Sequence, residues 1–112
     1  MSDRPDVDVL VAGGGPVGLL AATLVAIAGL SAVVADPRPG PVDKACGEGL
    51  MPVGAAILRD LCAGLGEPVP GRPFAGIRYV DPSRSAEARF AGGPGLGVRR
   101  TELHAVLSAA AD

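Results

Sequence analysis

Between Val9 and Ala35 polar residues are almost absent, and the apolar run they leave is cut by glycine. No charged residue lies between Val9 and Ala35. Val7, Asp8, Val9, Leu10, Val11 and Ala12 read as a strand. Gly13, Gly14, Gly15, Pro16, Val17 and Gly18 then form a turn. An apolar helix follows to about Ala28, and Ser31 to Ala35 read as a second strand ending in Asp36. Strands of parallel sheets are buried on both faces and show such unbroken apolar runs. The helix carries Leu19, Leu20, Thr23, Leu24 and Ile27 with alanines between them. It is apolar nearly all round, which predicts burial between the sheet and other elements. Gly29 is placed to end it as a left-handed cap. The whole is a βαβ unit.

After Asp36 the rhythm changes. Pro37, Arg38, Pro39, Gly40 and Pro41 exclude helix and central strand and predict an extended loop. Lys44 to Pro52 reads as a second loop, rich in polar residues and glycine. Pro52 suits the first position of a helix running to about Ala63. Val53, Ile57 and Leu61 form its stripe, with Arg59 and Asp60 outward and Cys62 as small core filling. Phe74 to Val80 and Ala86 to Phe90 read as strands joined by a hairpin turn at 81–85. Arg78, Glu87 and Arg89 would face water or a missing partner. Leu96 to Arg99 reads as a short strand. A last helix starts at Arg99 to Thr101 and runs to Ala111, with Leu103, Val106, Leu107 and Ala110 on one face.

The glycine turn carries chemistry. Gly13, Gly15 and Gly18 fit G-x-G-x-x-G, and Asp36 follows at close to the roughly 20-residue spacing of a ribose-binding carboxylate. Gly13 gives the strand-to-helix turn its backbone freedom. Gly15 has no Cβ to keep a pyrophosphate away, and Gly18 lets the helix pack closely on the strand. The first helical N–H groups and the helix dipole favour an anion there. Pro16, near the first helical position, gives up an N–H that would have no partner. Asp36 can accept from both ribose hydroxyls. A purely structural βαβ turn is the alternative.

The remaining polar residues leave choices open. Arg38 lies along an adenine or is a solvated arginine. Lys44, Ala45, Cys46, Gly47, Glu48 and Gly49 either pass a backbone close to a flat cofactor, with Lys44 reaching a phosphate, or form a plain loop before a helix. Arg99 and Arg100 at a helix N-terminus are disfavoured by the dipole unless an anion sits there; otherwise they are solvated. His104 reads as a surface or packed histidine.

Composition narrows the classes. A length of 112 residues bounds the chain to one small domain. The net charge of −2 and the absence of a basic run argue against a nucleic-acid partner. Cys46 and Cys62 are the only cysteines and His104 the only histidine, so no metal-ligand spacing exists. Count alone allows one disulfide, but a cytosolic nucleotide-binding chain keeps both thiols reduced. The uncharged run is long enough to raise a membrane span, but Gly13 to Pro16 break it. The acidic N-terminal residues are unlike those of a signal peptide. The expectation is a cytoplasmic chain without a transmembrane span.

The order of these pieces resembles the N-terminus of flavoprotein monooxygenases of the p-hydroxybenzoate hydroxylase type, and of their geranylgeranyl reductase-like relatives. Three segments carry the resemblance: Gly13 to Gly18 with Asp36; Lys44-Ala-Cys46-Gly47-Glu48-Gly49-Leu-Met-Pro52; and Arg100-Thr-Glu-Leu103, similar to an R-x-x-L helix start. It implies an α/β fold, a Rossmann-like βαβ start with a small β-hairpin insertion. The cofactor implied is FAD, held by Gly13, Gly15, Pro16, Val17, Gly18, Asp36, Pro37, Arg38, Lys44 and Arg100, with Cys46 and Gly47 near the flavin. NAD(P)H is implied as co-substrate, with O₂ and a small organic substrate.

The layout implied is a partial FAD-binding domain over 1–112. It comprises a βαβ unit at 1–36, a flavin-proximal loop at 37–52, a helix at 53–64, a substrate-domain hairpin at 74–91, and a strand and helix at 96–112 returning to the FAD domain. The family's later Gly-Asp motif has no counterpart, because the chain contains no Gly-Asp dipeptide. The expectation is therefore a fragment of a larger enzyme. Three alternatives remain: a flavin-dependent isoprenoid reductase, an NAD(P)-dependent dehydrogenase, and a non-catalytic nucleotide-binding fragment.

Overall fold

The computed structural model describes residues 4–40, 44 and 46–111. Pro41 of the proline-rich loop and Ala45 of the following segment lie outside the described residues. The elements in order are β1 (Val9–Ala12), α1 (Pro16–Ile27), β2 (Ala32–Ala35), β3 (Gly49–Leu50), α2 (Pro52–Leu65), β4 (Arg72–Phe74), β5 (Gly76–Val80), β6 (Ser85–Arg89), β7 (Gly95–Gly97) and α3 (Arg100–Ala111). They fall into two compact units, Met1–Lys44 with Arg100–Asp112, and Ala45–Arg99.

In the first unit β1 and β2 pair in parallel, Val9 opposite Ala32 and Ala12 opposite Ala35. The connection is α1, as the long crossover of a parallel pair requires. Asp8 and Ser31 tie the strand starts together: the Ser31 N–H donates to Asp8 Oδ2 at 2.8 Å, and the Asp8 N–H donates to Ser31 Oγ at 2.9 Å. The Ser31 backbone donor, then its hydroxyl, holds the Asp8 carboxyl below the usual carboxylate range. At the end of α1, Gly29 is left-handed (φ 85°), the Gly29 N–H donates to Ala26 O and the Leu30 N–H to Val25 O. This pair of bonds satisfies two end carbonyls of the helix.

Burial of α1 all round is corrected. Leu19, Ala22 and Thr23 are buried, but Val17 is 82% and Ile27 63% exposed. The helix packs on β1, β2 and α3. The sheet is likewise covered on one face, and Leu10 stands 67% exposed on the other.

In the second unit β7 is the centre of an antiparallel sheet of order β3-β7-β4, with α2 packed against it. Ala55, Leu58, Leu61, Cys62, Leu96 and Val98 form its core. Burial raises the Cys62 thiol pKa, with the Glu67 charge adding to it. Two strand expectations are corrected. Phe74 to Val80 is not one strand: it breaks at Ala75, with Phe74 pairing to Gly95 and Gly76 to Arg89. The segment Lys44 to Pro52 is not all loop, because Gly49 and Leu50 pair with Gly97 and Leu96.

The hairpin turns on Asp81, whose Oδ1 accepts from the Ser83 and Arg84 N–H groups, both at 2.8 Å. Arg78 and Glu87 do not face water alone; they sit opposite each other in register and pair at 2.7 Å. Both are exposed, so the pair adds little stability.

Truncating Leu58 tests this core. Leu58→Ala is expected to lower stability by about 3 kcal/mol, the usual cost of emptying a buried leucine site. Urea unfolding followed by circular dichroism measures it, and a loss below about 1 kcal/mol would contradict the packing described.

Among the described residues, no helix is long and apolar enough to cross a membrane, and no group of three or more metal-ligating side chains occurs.

Candidate functional site

The strand β1 stops at Ala12 and the chain turns at once. Gly13 adopts φ 112°, and its N–H donates to Ala35 O at 2.8 Å, extending the β1–β2 pairing into the turn. Gly18, one turn into α1, crosses directly over Gly13. A Cβ on Gly18 would stand 2.0 Å from Gly13 O, so only glycine allows this helix so close to the strand. The Cβ position of Gly15 is open, its nearest neighbour being Arg100 Nη2 at 4.0 Å.

The N-terminus of α1 is electrically bare. Gly15 is its N-cap, no side chain caps it, Pro16 follows, and its first turn holds no acidic residue. Leu19 is the first residue whose N–H bonds back, to Gly15 O. The N–H groups of Gly15, Val17 and Gly18 have no partner among the described residues. Their partial positive charge is therefore available to a ligand anion.

Asp36 faces this turn from the end of β2. Its Oδ2 accepts from the Gly14 N–H at 2.8 Å. Its Oδ1 accepts from the Arg38 N–H at 2.8 Å and from Arg38 Nε at 3.3 Å. The Arg38 backbone donor, then that of Gly14, then the Arg38 side chain hold the carboxyl at a pKa of about 2. A carboxylate offers about four lone-pair sites, and these bonds occupy three. Acceptance from both hydroxyls of a ribose therefore requires Arg38 Nε to yield its place.

A cavity of about 150 Å³ opens beside the turn, lined by Gly14, Gly15, Asp36, Arg38, Lys44 and Arg100, with Gly40, His104 and Ser108. All these residues belong to the first unit. Three cationic side chains thus meet one carboxylate. Neither Lys44 nor Arg100 has an ion-pair partner among the described residues.

Of the residues the sequence singled out, Gly15, Asp36, Arg38, Lys44 and Arg100 line this cavity, with Gly13 and Gly18 shaping the turn behind it. Pro16 and Val17 form the first turn of α1. Pro37 is exposed and does not line the cavity. Cys46 and Gly47 belong to the second unit, where Cys46 Sγ accepts the Glu48 N–H at 3.2 Å and Glu48 is left-handed (φ 53°).

Two participants escaped the sequence reading. Gly14, between the motif glycines, anchors both Asp36 and His104. His104 Nε2 lies 2.8 Å from Gly14 O. Asp36 with Arg38 did carry a local signal, because aspartate commonly accepts the backbone N–H two residues on. His104 carried none.

A glycine turn on a parallel βαβ unit, with bare N–H groups and a carboxylate at the next strand end, defines a dinucleotide-binding unit. The chain belongs to the family described as FAD binding domain, whose model matches residues 6–69, more than half of its length. It is 50% identical over 54 residues to a menaquinone reductase of Mycolicibacterium smegmatis, covering 48% of this chain and 13% of that protein. A flavin-dependent brominase has the same fold, with a TM-score of 0.76 and 23% identity over 94% of this chain and 27% of that one. A geranylgeranyl bacteriochlorophyll reductase-like protein of Thermoplasma acidophilum matches with a TM-score of 0.66 and 27% identity, over 94% of this chain and 27% of that one. The chain thus spans under a third of each of these relatives.

FAD fits the residues present. Its diphosphate needs donors and positive charge, which the bare N–H groups, Lys44 and Arg100 offer. The open space at Gly15 admits a phosphate, and Asp36 retains one acceptor site for a ribose hydroxyl.

Proposed function

We propose that this chain is the FAD-holding part of a flavin-dependent reductase acting on an unsaturated, quinone-type or isoprenoid substrate. The observation that carries the FAD reading is the cavity beside the glycine turn, where three cations and bare N–H groups face one carboxylate. The residues that would hold the cofactor are Gly13, Gly15, Pro16, Val17 and Gly18 through the turn, Asp36 and Arg38 at the ribose, and Lys44 and Arg100 at the diphosphate. Pro37, whose ring fixes its φ, would act through the turn it shares with Asp36 and Arg38, and Cys46 and Gly47 would lie by the flavin. When bound, FAD supplies two-electron transfer; the protein supplies position and charge.

Reductase is preferred to monooxygenase because the relative of highest identity reported above is named a reductase, whereas the brominase likeness speaks for fold alone. A monooxygenase using NAD(P)H and O₂ is the second reading, supported by the three segments that resemble hydroxylases.

Titration of FAD into the 112-residue chain tests the site. Saturable binding is expected, displaced by ADP and not by FMN, because the cavity is built for the adenylate and diphosphate part. Displacement by FMN alone would overturn the placement. In the longer protein, flavin reduced by NAD(P)H without oxygen should be reoxidised by a menaquinone analogue. Reoxidation that needs O₂ and yields a hydroxylated product would establish the monooxygenase.

A further inference from the structure

We infer that His104 is a positioning residue: it grips the carbonyl of Gly14 and thereby aims the N–H of Gly15 at the ligand phosphate. The inference rests on the FAD reading only for the identity of that phosphate.

Three observations carry it. His104 Nε2 lies 2.8 Å from Gly14 O, across 90 residues of sequence. A carbonyl oxygen only accepts, so Nε2 carries the proton and donates. Next, the described residues contain no cis peptide bond. In a trans peptide the C=O and the following N–H point in opposite directions. The oxygen of Gly14 and the N–H of Gly15 belong to one peptide plane. Holding the oxygen towards α3 turns the N–H the other way, and that N–H has no partner among the described residues. Finally, Gly14 is held at its other end too, since its N–H donates to Asp36 Oδ2 at 2.8 Å. Three consecutive glycines have more freedom than any other tripeptide, so without these two clamps the plane could rotate and lose its aim.

The histidine is not placed there merely to satisfy itself. Its Nδ1 is buried and has no hydrogen-bond partner among the described residues. A side chain chosen for packing alone would not bring an unpaired polar atom inside. What it contributes is one donor, at the reach of an imidazole Nε2, at the one carbonyl that sets the turn.

The test uses the ¹⁵N-labelled chain with His104→Gln, which keeps a donor at similar reach, and His104→Leu, which removes it. In the unaltered chain, NMR is expected to show the His104 ring protonated at Nε2 and bare at Nδ1. The Gly15 amide resonance should hold its position in the glutamine variant and move in the leucine variant. Inorganic pyrophosphate should bind the leucine variant roughly fivefold more weakly, the usual effect of one lost hydrogen bond, and the glutamine variant about as well as the parent.

The opposite tautomer overturns the inference, and this readout needs no variant to fold. So does a leucine variant with an unmoved Gly15 amide, or a glutamine variant no better than leucine, which would make the ring mere packing. A parent chain that shows the Nε2 tautomer and binds pyrophosphate, but not FAD, would instead remove the FAD reading and leave the clamp standing.

Discussion

Gly18→Ala is expected to destabilise the first unit by about 3 kcal/mol or more and to abolish FAD binding with it. The added Cβ would meet Gly13 O at 2.0 Å, Gly13 C at 3.1 Å and Val11 Cγ1 at 3.2 Å. The first two are backbone atoms of a residue already bound to Ala35 O, so they have little room to retreat. Overpacking against movable side chains costs about 1–3 kcal/mol, and a backbone obstacle belongs at the top of that range.

Gly15→Ala is the control, because its Cβ would meet nothing nearer than Arg100 Nη2 at 4.0 Å. That variant should unfold in urea like the parent and yet bind FAD more weakly, since the methyl occupies space a phosphate would enter. The contrast separates the glycine that serves the fold from the glycine that serves the ligand. A Gly18→Ala chain of parental stability would show that α1 does not cross the turn as described.

The glycine turn was legible because its constraints are local. A tight turn, a close crossing and a carboxylate at the next strand end all leave marks within 30 residues, and the parallel pairing followed from an unbroken apolar run. The same run misled about α1. It predicts cover on every side, and β1, β2 and α3 cover only part, which leaves Val17 and Ile27 in water. Strand β3 was missed because two residues, one a glycine, have no periodicity to read. Phe74 and Gly76 looked continuous, yet they pair with different partners, and only tertiary pairing reveals that. His104 was unreadable for a different reason. Its partner is a backbone carbonyl 90 residues away, and a carbonyl has no sequence identity. Side-chain chemistry can be searched for in a sequence, whereas a side chain that serves the backbone cannot.

Asp36→Asn should weaken FAD binding roughly 10- to 100-fold, the scale of losing a charge-assisted hydrogen bond at a ribose. The size of asparagine is right and its chemistry is not. The carboxylate accepts on both oxygens, from Gly14 on one and from Arg38 on the other. An amide that keeps its oxygen towards Gly14 sets its NH₂ against the Arg38 N–H, donor to donor. The flipped amide spares Arg38 and opposes Gly14 instead. Either way the glycine turn or the Asp36–Arg38 turn loses its anchor, so the variant should also be less stable near neutral pH.

The pH dependence has the matching sign. The Asp36 pKa is about 2, below the ordinary aspartate value of 3.8. Its contribution to stability is therefore complete above about pH 4 and lost as the pH falls towards 2. Asp8 and Asp81, also held below the usual range, shift stability in the same direction. Urea midpoints measured from pH 6 to pH 2 should fall for the parent chain and fall less for Asp36→Asn, which has no proton to take up at that position. Parallel curves would mean that Asp36 makes the same contacts charged or neutral. In that case the carboxylate would not be what joins the glycine turn to the end of β2.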